Sequence, residues 1–271
     1  NLAALPRKIG DRPVKLRPHS KTHKSPIIAL KQIALGAVGV CSQKVAEAEA
    51  LVEGGVNEVL IANEVAGAAK LRRLAALARA AKIAVCVDDP GNVADLEDAA
   101  ADFGAQITVL VEIDVGNRRC GLAPGAAAPD LAQDVSASKH LRFDGLQAYH
   151  GSAQHVREFE ERRKAIEHAA ALARETKAMI EAAGIACPRI TGAGTGSFGF
   201  EAESGLYTEL QCGSYVFMDA DYNRNLDRSG KAVPEFEQSL FVWATVMSRP
   251  SADRAIVDAG LKAYSVDSGM P

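Results

Sequence analysis

The sequence predicts an α/β fold: a (β/α)8 TIM barrel over residues 1–230, followed by the start of a separate β domain over 231–271. Three observations predict it. Short β-branched runs alternate with Ala-rich helical stretches along most of the chain. The runs number eight, which is the count that closes a barrel. No GxGxxG loop follows the first run, as a doubly wound dinucleotide-binding sheet would want.

The strand candidates in order are "PVKLRPHSK" (13–21), "VGVCS" (38–42), "EVLIAN" (58–63), "IAVCVDD" (83–89), "ITVLVEIDV" (107–115), "FDGLQAYHG" (143–151), "RITGAGTG" (189–196) and "ELQCGSYVFMD" (209–219). Good helix formers lie between them. "VAEAEALVE" stops at Gly54-Gly55. "DDPGNVADLEDAAADFG" opens with Asp89 as N-cap and Pro90 at the first helical position, and puts Val93, Leu96, Ala100 and Phe103 on one face. Residues 153–183 read as one long helix or a pair. Near the C-terminus, "SLFVWATVMSRP", "RAIVDAG" and "AYSVDSG" are strand-like with few helix formers between them. The chain opens at Asn1 and stops at "DSGMP", which reads as a piece of a longer protein.

With 31 Lys and Arg against 34 Asp and Glu, the net charge of −3 gives no reason to expect nucleic acid or an anionic membrane as partner. No apolar run reaches the roughly 20 residues that span a bilayer. The five cysteines are odd in number, scattered and without CxxC spacing, which reads as reduced, mostly buried thiols in a cytoplasmic protein with no zinc site.

"RPHSKTHK" (17–24) carries two histidines and two lysines in eight residues. On an extended strand Val14 and Leu16 point one way, and Lys15, Arg17, His19 and Lys21 the other. The outer face of a barrel packs on helices, so the polar set faces the lumen. Lys21 then comes last, at the C-terminal rim where barrel enzymes place their chemistry. Lys24 falls past the strand, near a helix start, and reads as solvated. The competing reading is a solvated basic strand end.

"TGAGTGS" (191–197) follows the seventh strand, and its glycines let backbone N–H groups turn inward as an anion nest, with Thr195 and Ser197 adding hydroxyls. Barrels commonly bind phosphate with the loops after strands seven and eight, and "CGSY" (212–215) lies at the eighth. A reactive lysine on strand one beside a phosphate cradle on strands seven and eight points to pyridoxal phosphate, which needs both.

Several separated motifs, "RPHSKTHK", "GVCSQKVAEAEALVEGG", "EIDVGNRRCG", "LQAYHGSAQH", "TGAGTGSF" and "ELQCGSYVFMDADY", resemble the D-threonine aldolase family. That family includes the 3-hydroxy-D-aspartate aldolases and is related to D-serine dehydratases and alanine racemases. The resemblance spans nearly the whole chain. It implies an alanine-racemase-like barrel with a β domain, working as a homodimer with pyridoxal phosphate and a divalent metal of the Mn, Mg or Co type. By the same resemblance Lys21 is the Schiff-base lysine. Gly194, Thr195, Gly196 and Tyr215 are phosphate ligands, Thr191 is a further cofactor-binding residue, Gln43 and Tyr149 touch the cofactor, and Arg119 lies beside its phenolic oxygen. His150 is a further catalytic candidate. Each has a plainer reading: Gln43 as a helix cap, Tyr149 as a packed aromatic, Arg119 in a loop ion pair, and His23, His150 and His155 as structural histidines; His140 and His168 read as surface residues. The family's metal is held by a histidine and an aspartate near the C-terminus. No HxD or HxC pair occurs here, so the metal ligands are expected outside this chain.

The implied reaction is retro-aldol cleavage of a D-3-hydroxy amino acid to glycine and an aldehyde. Lys21 must be deprotonated to attack, so its pKa is expected to be lowered by burial and by Arg17 and Lys24. Three alternatives stay open: a dehydratase eliminating the β-hydroxyl, a non-catalytic pyridoxal-phosphate carrier, and a phosphosugar barrel enzyme in which Lys21 forms a sugar imine.

Overall fold

The computed structural model describes residues 1–232 and 234–265. A short helix α1 (Ala4–Ile9) precedes eight parallel strands and their helices: β1 (Lys15–Leu16), α2 (Pro26–Ala34), β2 (Val40–Ser42), α3 (Val45–Glu53), β3 (Glu58–Glu64), α4 (Ala68–Leu77), β4 (Lys82–Val87), α5 (Pro90–Phe103), β5 (Ile107–Glu112), α6 (Ala127–Ala137), β6 (Leu141–Gln147), α7 (Phe159–Ala182), β7 (Arg189–Gly192), α8 (Phe198–Glu203) and β8 (Glu209–Leu210). The sheet runs β1-β8-β7-β6-β5-β4-β3-β2. A parallel bridge between His19 and Cys41 joins its ends, with Val38 N–H donating to Leu16 O at 2.9 Å and Cys41 N–H to Pro18 O at 2.8 Å. The barrel is closed, as the eight-run pattern predicts.

Two layers of apolar side chains account for the strand composition. The larger cluster lies between strands and helices and includes Val59, Ile61, Val85, Val109 and Val111 facing Leu71, Leu74, Val93, Leu96 and Leu131. A smaller inner cluster of Cys41, Leu60, Ala62, Ala84, Cys86 and Leu110 fills the lumen from β2 to β5. The two sets alternate along each strand, the period-2 signature of a wall packed on both faces.

Helix signals behave as the sequence implies. The Asp89 side chain accepts from Asn92 N–H at 2.9 Å, Pro90 opens α5, and Gly104 ends it at φ 58°. The stretch 153–183 is a 3₁₀ turn (Ser152–His155) followed by α7. Arg162 enforces the break: its guanidinium donates to Val156 O at 2.6 Å, Arg157 O at 2.9 Å and Leu226 O at 2.8 Å, taking up carbonyls of the non-helical link.

Several strands are shorter than predicted, two of them by most of their length. The run 13–21 keeps ladder pairing only over Lys15–Leu16, and Ser20–Thr22 forms a 3₁₀ turn capped by the His19 ring. The run 209–219 leaves the ladder after Leu210 and turns at Ser214–Val216. Beyond the barrel Phe236 packs against Tyr215 and Phe198, and β9 (Val246–Ser251) pairs antiparallel with β10 (Arg254–Val257). The predicted strand 263–269 falls largely outside the described residues. Among the described residues no helix is long and apolar enough to cross a membrane.

Candidate active site

The C-terminal ends of the strands open onto one cavity of ≈ 490 Å³, lined among others by His19, Lys21, Gln43, Arg119, Tyr149 and Thr195. Six expected site residues therefore share one pocket: Lys21, Gln43, Tyr149, Arg119, Gly194 and Thr195.

Lys21 sits on the 3₁₀ turn after β1, so turn geometry rather than strand parity aims it. Its backbone N–H donates to His19 Nδ1 at 3.3 Å, tying the turn to the buried imidazole. Solvent reaches the lysine through the mouth, yet the surrounding protein holds its pKa below the ordinary lysine value, by burial first and by the Arg119 charge second. The expected contributions of Arg17 and Lys24 are corrected. Arg17 is spent on Glu209 (2.8 Å) and Glu58 (2.7 Å). Lys24 faces outward, 3.3 Å from Glu47. His19, buried, has its pKa pushed well down by burial and then by Lys21, so it stays neutral at physiological pH.

The turn after β7 forms the opposite wall. Ala193 takes the left-handed conformation at φ 72°, and Gly194 approaches the Gln154 side chain so closely that a Cβ there would lie 2.4 Å from Oε1. Gln154 in turn accepts from Gly196 N–H at 3.0 Å and donates to Ser197 Oγ at 2.7 Å. The hydroxyl of Thr195 accepts from Tyr215 N–H at 3.0 Å, bridging the turns after β7 and β8. Among the described residues, the N–H groups of Gly194, Thr195, Gly213 and Ser214 have no acceptor within the protein, and all four residues line the pocket. Free, convergent N–H groups make an anion cradle.

Arg119 reaches the cavity from the loop after β5, 3.6 Å from Glu112 and with its guanidinium carbon 6.0 Å from the Tyr149 ring centroid. The other expected residues lie outside the cavity wall. Thr191 is fully buried and accepts from Gln211 Nε2 at 2.8 Å. Gly196 faces the adjoining cavity toward Phe198. The Tyr215 hydroxyl accepts from Gln32 Nε2 at 2.8 Å, away from the mouth. His150 packs its ring on Gly116.

Sequence reasoning put His19 in the lumen and "CGSY" at the phosphate end, but it did not single out Gln147, Gln211 or Tyr222; all of these line the pocket with His19, Gly213 and Ser214. Gln147 and Gln211 pair their amides at 2.7 and 3.2 Å. Their signal was available: Gln147 ends β6 and Gln211 directly follows β8, at the rim where barrels place their chemistry.

Comparison with known proteins fits this arrangement. The family model "Alanine racemase, N-terminal domain" matches residues 1–221, and "Putative serine dehydratase domain" matches 239–271. A D-threonine aldolase of Arthrobacter sp is 51% identical over 271 residues, covering 100% of this chain and 71% of that protein. The chain belongs to the D-threonine aldolase family. It is thereby an enzyme, a carbon–carbon lyase of the aldolase kind. A 3-hydroxy-D-aspartate aldolase of Paracoccus denitrificans (strain Pd 1222) is 47% identical, over 98% of this chain and 70% of that one. The crystal structure of D-threonine aldolase from Filomicrobium marinum superposes with a TM-score of 0.96 at 50% identity, covering 100% of this chain and 72% of that one.

Proposed function

We propose that the protein cleaves a D-3-hydroxy amino acid of the D-threonine or 3-hydroxy-D-aspartate type to glycine and an aldehyde, at the barrel mouth and with pyridoxal phosphate. The observation that carries the reading is that Lys21 and the free N–H groups of the glycine turn face one cavity. An amine of lowered pKa and an anion cradle are the two ends that this cofactor requires, so the residues fit it. Bound there, pyridoxal phosphate supplies an aldehyde for an amine and an electron sink for the carbanion left when the Cα–Cβ bond breaks.

The chain's own residues divide the remaining work. Lys21 supplies the covalent anchor, and burial and then the Arg119 charge lower its pKa. Gly194, Thr195, Gly213 and Ser214 would hold the phosphate through backbone N–H groups. Neutral His19 orders the Lys21 turn without adding a second positive charge beside the amine.

The divalent metal implied by the family is held by a histidine and an aspartate, and no HxD or HxC pair occurs in this sequence to hold it. No step is derived through it. The division at residue 230 into barrel and β domain belongs to this proposal, as do a homodimeric assembly and a cytoplasmic location, the last supported by five free cysteines.

The test is the absorbance spectrum of purified protein with and without D-threonine, for wild type and Lys21→Ala, with product analysis. The proposal expects a cofactor band that D-threonine perturbs, glycine plus an aldehyde as products, and loss of the protein-linked band in Lys21→Ala. A 2-oxo acid plus ammonia would replace the aldolase with a dehydratase. A band indifferent to D-amino acids would make the protein a carrier.

A further inference from the structure

Behind Arg119 lies a group of side chains that the proposed reaction does not use. Glu64 at the end of β3, Asp88 just after β4 and Cys120 in the loop after β5 bring one ligand atom each to within 4.8 Å of one another. All three are half-buried, so solvent reaches each of them. Asp88 keeps one oxygen on Gly121 N–H at 2.8 Å, which fixes its direction and leaves the other free. Both buried oxygens of Glu64 lack a donor.

Glu112 is the independent observation. It is 4% exposed, and its Oε2 is buried without a donor. The Glu64 carboxyl lies against it. The two carboxyls approach closely, yet both present only acceptor oxygens, so a hydrogen bond between them forms only if one holds a proton. Arg119, at 3.6 Å from the far oxygen, is too distant for a hydrogen bond. Three carboxyls and a thiol thus converge with one loosely placed cation among them. Such a cluster is costly unless a proton or a cation fills it.

We propose that Glu64, Asp88 and Cys120 form a binding site for a divalent transition metal of the Zn²⁺ or Co²⁺ class, with Glu112 as the outer carboxylate facing it. The sulfur ligand sets the class, since thiolate favours these ions over Mg²⁺ and Ca²⁺. Three protein ligands leave the fourth tetrahedral position to water. On binding, Cys120 loses its proton to bulk solvent and the Sγ–metal bond replaces the S–H bond, so one proton leaves per thiolate formed. Cys120 is adjacent in sequence to Arg119. The ion therefore pins the loop that delivers Arg119 to the cavity and neutralises the carboxyls that would otherwise draw the guanidinium away from it. This site is separate from the histidine–aspartate pair expected outside the chain.

The test uses the holoenzyme with Zn²⁺, Co²⁺ or Mg²⁺ added alone. Alkylation of Cys120 is followed by mass spectrometry, and the visible d–d bands of Co²⁺ by absorbance, where the cofactor is transparent. The proposal expects Zn²⁺ to slow alkylation of Cys120 while Mg²⁺ at the same concentration does not, and Co²⁺ to give tetrahedral bands that Cys120→Ser removes. Glu112→Gln should weaken Zn²⁺ binding by about 10–100-fold, as loss of an outer partner does. Circular dichroism confirms that each variant folds; should Cys120→Ser not fold, Glu64→Gln takes its place, with the same loss expected. Equal alkylation with and without Zn²⁺, equal protection by Mg²⁺, or cobalt bands that persist in the folded variants would overturn it.

Discussion

Arg17 and Glu209 hold each other inside the barrel, Nε to Oε2 at 2.8 Å and one terminal nitrogen to Oε1 at 3.1 Å, with side chains 1% and 7% exposed. The pair is the centre of an ionic layer near the N-terminal end of the lumen. Glu58 adds a contact to Arg17 at 2.7 Å, and Arg189 bridges Glu209 (3.6 Å) to Asp144 (2.7 Å). The layer closes the floor opposite the reactive mouth, so its role is stability.

Removing one partner leaves a buried charge. Glu209→Gln is expected to destabilise by about 3–5 kcal/mol, because Arg17 cannot leave the lumen to find water. Urea unfolding followed by circular dichroism measures it. Arg17→Met combined with Glu209→Leu should cost clearly less than Glu209→Gln alone.

Gly145 sits at the irregular step in β5–β6 pairing, at φ 138°, where a Cβ would fall 1.9 Å from Arg189 O. The obstacle is backbone of the neighbouring strand, so it cannot turn aside. Gly145→Ala is expected to cost about 3 kcal/mol or more, at the upper end of single-residue effects. Thermal unfolding reads this directly, and a Tm equal to wild type would contradict it.

Gly194 tests the phosphate wall separately. A methyl there displaces the Gln154 amide, which orders Gly196 and Ser197. Gly194→Ala is expected to weaken binding of pyridoxal phosphate by about tenfold, near 1.4 kcal/mol. Pyridoxal, which lacks the phosphate, should bind mutant and wild type alike. Equal losses for both ligands would show that the turn holds something other than phosphate.

The Lys21 pKa gives a pH prediction. Burial and Arg119 both lower it, so the neutral amine is present at lower pH than for a free lysine. A lysine whose folded pKa is depressed costs stability in full below the folded value, where both states are protonated. That cost fades as pH rises from the folded value to the unfolded one. Arg119→Met removes the second cause, so the pKa should rise. The rate at which cofactor-free protein takes up pyridoxal phosphate should then shift to more alkaline pH, with less uptake near neutrality. An unchanged profile would mean that Arg119 does not act on the amine.

Much of this was legible before any coordinates. The number of strands and the barrel came from the alternation of β-branched and Ala-rich runs, because walls packed on both faces need continuous apolar residues. Asp89 and Pro90 placed a helix start to the residue. Lys21 was placed at the mouth by strand parity, although the strand ends at Leu16 and a turn capped by His19 delivers it. What stayed hidden depended on tertiary contacts. The break before α7 is made by Arg162 reaching carbonyls as far away as Leu226. The charge that adds to burial in lowering the Lys21 pKa belongs to Arg119, almost a hundred residues on. Glu64, Asp88 and Cys120 belong to three different strand ends, and no spacing in the sequence marks them as neighbours.

The most direct measurement is reduction of the purified protein with borohydride, followed by peptide mapping. The account predicts the reduced pyridoxyl group on the peptide containing Lys21, at that residue. Labelling of Lys24, or of any lysine outside the cavity, would contradict it.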